Sequence, residues 1–281
     1  MQAHRDIEAA RPAAPEPTAA ELERIRAIVY ERSGITLHEG KRQLVTARLH
    51  RRLRELGLSS YGDYLRALDR DTSGQELTTL LDAISTNFTS FFREPQHFAF
   101  LREQVFPELR QRGRPDPRVW CAAAATGEEP YTLAMTFVDG GFQPRILASD
   151  ISTKALAAAT RAVYPAERAR TVPPIWLPRY FEKGRGTQEG QVRIVASLRE
   201  RIEFRRLNLL EIQTLEHTFP VIFCRNVMIY FDIPTRQRVV SMLERHLEPG
   251  GSLFVSHSES LTGITHGLRW AAPAVYRKGA A

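Results

Sequence analysis

Residues 119–131 read VWCAAAATGEEPY, an apolar run that passes through four alanines into Thr-Gly and then two glutamates. The run predicts a buried strand over 118–124, Thr126-Gly127 a turn, and 128–137 a helix. Small residues between strand and helix let a ligand lie against backbone at the carboxyl edge of a sheet. Outward from this stretch the same rhythm repeats. A strand is predicted over 145–149 ending at Asp150, a helix over 152–163, and further strands over 202–207, 221–224 and 252–256. A helix over 234–247 precedes Glu248-Pro249-Gly250-Gly251, read as a stop and turn. Strands alternating with helices predict an α/β fold with a mostly parallel, doubly wound sheet. Between 165 and 203 the rhythm breaks. There GRGTQEGQVRIV (184–195) resembles a hairpin, so a small inserted β-subdomain is expected, with 191–195 as its edge strand.

Upstream the period is helical. Val45, Leu49, Leu53 and Leu56 recur at i, i+4, i+8 and i+11, one face of a helix. Ser59 and Ser60 look like an N-cap region for a helix carrying Tyr64, Leu65 and Leu68. Residues 1–20, rich in Ala, Pro and Glu, are expected to be a disordered tail. The domain reading is therefore an all-α domain over 21–84 and an α/β domain over 85–281.

With 281 residues, 43% apolar and 25% charged, the chain has the composition of a folded domain plus a smaller one. Lys+Arg of 39 against Asp+Glu of 32 leaves +7, which allows an acidic partner without choosing one. The longest apolar run, 119–125, is far below the ~20 residues of a membrane span. The N-terminus, MQAHRDIEAARPAAPEP, has no apolar signal core. Cys121 and Cys224 each lie in an apolar segment and read as reduced core residues, not a disulfide or a metal site. A cytoplasmic protein, monomeric and without a metal, is the expectation.

Four stretches carry the candidate chemistry. The G-x-G-x-x-G fingerprint is absent from the first turn, which disfavours NAD or FAD. Glu128 and Glu129 would repel a pyrophosphate and suit a ligand with a free amino group, although they also make ordinary first-turn helix charges. Asp150 ends the second strand, where a carboxylate can accept both hydroxyls of a ribose; Ser152 competes with it to cap the next helix. Residues 221–231, VIFCRNVMIYF, bring Arg225 and Asn226 to a strand end and Tyr230 near the mouth of the site. Residues 85–94, STNFTSFFRE, are too aromatic for a solvated linker and must pack on something.

STNFTSFFRE, AAAATGEEPYTLAM (122–135), ASDIS (148–152), RYFEKG (179–184) with EGQVRI (189–194), FRRLNLLE (204–211), FCRNVMIYFD (223–232) and GGSLFVSHSES (250–260) together resemble the chemotaxis receptor glutamate methyltransferases, the CheR family. The resemblance implies a Rossmann-like domain dependent on S-adenosylmethionine (SAM), with an inserted β-subdomain and an all-α N-terminal domain. It implies methylation of glutamate side chains on chemoreceptor cytoplasmic helices. Carried over by motif, the cofactor contacts are Asn87, Thr89, Arg93, Glu128, Asp150, Asn208, Leu209, Arg225 and Asn226. Arg93 and Tyr230 are the positions tied to catalysis. Ala123-Ala124-Ala125 departs from relatives that often carry Gly, Cys or Ser, but the residues stay small.

A glutamate carboxylate, with a pKa near ~4.3, is already an anion at neutral pH and needs no general base. Catalysis is then mainly orientation and partial desolvation. The helical domain is expected to dock the receptor through Arg48, Arg51 and Arg54, spaced i, i+3 and i+6 beside the apolar face. As the resemblance implies for some members of the family, the insert is expected to bind a receptor C-terminal peptide by adding a strand to a sheet edge, with a plain structural hairpin as the alternative. A nucleic-acid methyltransferase would also explain the basic pI, but Asn226 is followed by Val-Met-Ile-Tyr and not by Pro-Pro-Tyr. A non-catalytic SAM-binding scaffold is the third class; intact Arg93, Asp150 and Tyr230 argue against it.

Overall fold

A computed structural model describes residues 16–212 and 214–280. Most of the expected N-terminal tail lies outside the described residues. Within them, the first helix, α1, already begins at Ala19 (Ala19–Ser33), because Thr18 and Glu21 form a reciprocal capping box. Helices α2 (Arg42–Leu56), α3 (Tyr61–Arg70) and α4 (Gln75–Ile84) complete an all-α unit. Ser60 caps α3, as its sequence suggests. Val45, Leu49 and Leu53 of α2 meet Tyr64, Leu65 and Leu80 in one buried cluster. Leu56, the fourth member of the predicted face, is exposed at the helix end.

After a strap of irregular backbone over 85–95, α5 (Gln96–Phe100) runs through one π-helical turn (Leu101–Val105) into α6 (Phe106–Gln111). The α/β unit then follows: β1 (Arg118–Cys121), α7 (Glu128–Asp139), β2 (Arg145–Asp150) and α8 (Thr153–Arg161). The insert holds β3 (Val163–Pro165), α9 (Leu177–Tyr180), β4 (Phe181–Lys183) and β5 (Gln191–Ile194). The chain returns through α10 (Ala196–Arg199), β6 (Ile202–Arg206), β7 (Phe219–Phe223), α11 (Ile233–His246) and β8 (Leu247–Phe254). It ends with β9 (Arg269–Ala272) and β10 (Val275–Arg277).

Seven strands form one sheet in the order β6-β2-β1-β7-β8-β10-β9. The first five are parallel, and β10 pairs antiparallel with both β8 and β9, confirming the α/β class. β1 and β7 are buried on both faces, which is why they read as continuous apolar runs.

Three expectations change. β9 and β10, four and three residues long, were not predicted, being too short to show alternation. Glu248–Gly251 does not separate a helix from a strand: β8 starts at Leu247 and passes through it as a bulge. Phe219 pairs with Leu247 but Val221 pairs with Ser252, so the extra residues loop out of register. Gly250 there has φ +72°, a backbone that disfavours a side chain. Finally, β5 is the central strand of the insert's sheet, order β3-β5-β4, and not an edge. Both its sides are paired, so it offers no free backbone groups to a peptide.

Candidate functional site

At the carboxyl ends of β1, β2, β6 and β7 lies an open cleft with about 800 Å³ of atom-free space. Ala122, Ala123 and Ala125 supply a floor of backbone and methyl groups. The wall facing the helical unit comes from the strap, including Asn87, Phe88, Thr89 and Arg93. Asn208, Leu209, Arg225, Asn226 and Tyr230 complete it, so the structure brings together every predicted site residue but one.

The exception is Glu128. Its carboxylate, without solvent exposure, faces the insert: Arg168 Nη1 approaches Oε1 at 2.7 Å and Thr126 Oγ1 donates to Oε2 at 2.6 Å. The neighbouring Glu129 lines the cleft instead. Tyr164 of β3 donates to the carbonyl of Thr126 at 2.9 Å, tying the insert to the turn a second time. Gly127 (φ +98°) is required there, since a Cβ would lie 2.8 Å from both Ala159 Cβ and Tyr164 Oη.

Asp150 accepts from Ser152 N at 2.9 Å through Oδ1 and from Ala125 N at 2.8 Å through Oδ2. Burial pushes its carboxyl up, and these two N–H groups oppose the rise. Ser152 caps α8, leaving Asp150 free of that task. Asn87 Nδ2 donates to the Ser152 hydroxyl, anchoring the strap at 3.2 Å. Arg93 lies 5.9 Å from the ring of Phe88, which is 75% exposed at the rim. Asn208 donates to the Arg32 carbonyl of α1 at 2.7 Å, so it also joins the two units. Lys41 Nζ sits 4.8 Å from the Tyr230 ring, placing a cation beside the mouth.

Beneath the cleft, Arg225 lies between two carboxylates, 2.8 Å from Glu129 Oε2 and 3.1 Å from Glu94 Oε2. Burial alone would push Glu94 up; Arg225 and the Ser256 hydroxyl overcome it and hold the group at about 2. Glu129, more deeply buried, is pushed up despite Arg225. His97 is pushed down to about 3 by burial and by the Arg225 charge. Glu94, His97 and His257 bring potential metal-ligating atoms within 4.8 Å of one another. Arg225 already places a positive charge 3.1 Å from Glu94, and His257 Nδ1 lies 3.0 Å from the same carboxylate.

The cleft fits SAM on its own chemistry. Asp150 keeps acceptor capacity toward it beyond its two backbone bonds, which a ribose diol can use. Glu129 gives a carboxylate for a cationic amino end, and Leu209 and Val227 give apolar surface for a purine.

Comparison with known proteins agrees with this geometry. Residues 20–85 match the all-alpha domain of the CheR methyltransferases, and residues 87–274 match their SAM binding domain. The chain is 43% identical over 264 residues to chemotaxis protein methyltransferase 2 of Pseudomonas aeruginosa, covering 92% of this chain and 93% of that one. It is 42% identical over 263 residues to the chemotaxis protein methyltransferase of Klebsiella aerogenes, covering 92% and 89%. With its Escherichia coli counterpart it shares 42% identity over 250 residues, covering 87% and 86%. A helical domain on a SAM-binding sheet, matched over nearly the whole chain, makes this protein a member of the CheR methyltransferase family.

Proposed function

We propose that the protein methylates glutamate side-chain carboxylates on the cytoplasmic helices of chemoreceptors, giving glutamyl methyl esters. The observation that carries this reading is the division of charge around one cleft. Asp150 and Glu129, the latter paired with Arg225, line its interior. Arg93 lines the strap side and Lys41 lies 4.8 Å from the Tyr230 ring, two cations that suit an entering carboxylate. Bound there, SAM supplies an electrophilic methyl on a sulfonium, which a carboxylate takes up as its ester. Asp150 would hold the ribose and Glu129 the amino end, with Asn87, Thr89, Asn208, Leu209, Arg225 and Asn226 as further contacts. Arg93 and Tyr230 would orient the incoming carboxylate and exclude water. Orientation of this kind is worth effective molarities of ~10⁵–10⁸ M.

Arg51 and Arg54 are exposed on α2 and would meet an acidic receptor helix. Arg48 does not join them: its guanidinium donates to the carbonyls of Ala83, Ile84 and Ser85 at 3.3, 2.6 and 3.1 Å. A receptor C-terminal peptide would add to the free edge of β4. No described helix is long and apolar enough to cross a membrane. A monomer working in the cytoplasm suits such receptors. The test incubates the protein with methyl-labelled SAM and either a receptor cytoplasmic fragment or duplex DNA. Label on the receptor supports the reading; label on DNA alone overturns it.

A further inference from the structure

The loop that carries Asn226 and Tyr230 into the cleft has its carbonyls held by Arg236 Nε, at 2.9 Å from Met228 O and 3.0 Å from Phe231 O, and by the Thr36 N–H, at 2.8 Å from Tyr230 O. Its N–H groups converge on one carboxylate from beyond β8. Glu259 is 7% exposed and sits three residues beyond Ser256, in the turn that follows β8. Its Oε1 accepts from Met228 N at 2.7 Å and Ile229 N at 3.3 Å. Its Oε2 accepts from Asn226 N at 3.0 Å and Ser256 N at 2.8 Å. Four backbone donors thus converge on one buried carboxylate. Met228 to Tyr230 form a single 3₁₀ turn, and Glu259 satisfies N–H groups at its start that the turn itself cannot. Asn226 has φ +58°, in the left-handed region that Asn tolerates better than other residues with a side chain. The Asn226 side chain then donates to Ser256 Oγ at 2.7 Å, and that hydroxyl donates to Glu94 at 2.8 Å. Glu259 therefore joins the ends of β7 and β8 and connects the loop to the Arg225 ion-pair network.

We infer that Glu259 is a positioning residue for methyl transfer, fixing Asn226 toward the cofactor and Tyr230 toward the entering carboxylate. It lines no part of the cleft and acts through the backbone it holds. The chemistry requires a carboxylate at this point. Both oxygens act purely as acceptors, each taking two donors, whereas a glutamine amide would turn its own N–H groups toward two of them.

The inference rests on the proposed methyl transfer, and the test separates the two. Glu259→Gln is compared with the unaltered protein in S-adenosylhomocysteine calorimetry and in receptor methylation kinetics. Binding stoichiometry reports the folded fraction. Per folded molecule, kcat is expected to fall about 100-fold, the scale of a misplacement near 1 Å. The S-adenosylhomocysteine Kd is expected to rise at least fivefold, while the receptor KM stays within twofold. A purely structural role would lower stoichiometry and leave kcat and Kd per folded molecule unchanged, which would overturn the inference. Should Glu259→Gln not fold, Glu259→Asp decides on the same readout: it keeps the charge but is one methylene short. A kcat loss near tenfold supports the role, and wild-type values overturn it. If the unaltered protein methylates no receptor, the functional reading fails, while the Kd ratio still tests Glu259.

Discussion

The carboxylate of Glu128, fully buried, is met by the guanidinium of Arg168 at 2.7 Å across the boundary between the first turn of the α/β domain and the insert. With the Tyr164 bond to Thr126, this pair makes the insert part of the cofactor cleft's frame. Arg168→Ala would leave a buried charge with only the Thr126 hydroxyl. Arg168 is itself half exposed, so solvent would recover part of the loss. A destabilisation of about 1–3 kcal/mol is expected in urea unfolding. A change below ~0.3 kcal/mol would mean that the insert does not brace the turn.

Arg48 and its neighbours on α2 should separate in their effects. Arg48→Ala removes a cation from the C-terminal carbonyls of α4 and should cost about 1–2 kcal/mol of stability. Arg51→Glu with Arg54→Glu should cost no more than about 1 kcal/mol, since Arg51 gives up an exposed pair with Glu55 at 2.9 Å, and should raise the receptor KM roughly tenfold. The two sets trading places in these measurements would show that the docking face has been misassigned.

Asp150→Ala should weaken S-adenosylhomocysteine binding by roughly 10- to 150-fold, the equivalent of about 1.5–3 kcal/mol for hydrogen bonds to a charged group. Calorimetry measures it. Unchanged affinity in a folded variant would remove the ribose assignment.

His97 makes stability depend on pH. Its folded pKa, about 3, lies below the ordinary 6.5, so the unfolded chain takes up the proton more readily. This contribution is intact above pH 6.5 and is lost progressively as pH falls toward 3. Glu94, held at about 2 against an ordinary 4.5, adds a second loss that begins only below 4.5. Between pH 7 and 5, His97→Phe should therefore flatten the fall in stability, whereas Glu94→Gln should not. Parallel curves for wild type and His97→Phe would contradict the assignment.

The sequence carries the sheet and most of the cleft because those features are local. β1, the small-residue turn and Asp150 follow from apolar runs and their ends, and Arg225 and Asn226 from the end of β7. What escaped depends on contacts distant in sequence. Glu128 and Glu129 are adjacent in the chain, and only the packed insert shows that one meets Arg168 and the other the cleft. Glu259 reads as a polar loop residue until the fold brings it to backbone donors some thirty positions away. β5 looks like an edge because its hairpin partner is near in sequence, while β3, its other neighbour, lies across the insert. Arg48 shares a helical stripe with Arg51 and Arg54 by spacing, yet the end of α4 claims it.

The central claim concerns the bond formed. A receptor cytoplasmic fragment treated with the protein and methyl-labelled SAM should be digested and its peptides sequenced by mass spectrometry before and after mild alkali. The account predicts a single methyl group on individual glutamate side chains, released as methanol by the alkali, as a carboxylic ester requires. A methyl group that survives alkali, or that resides on nitrogen, would contradict it.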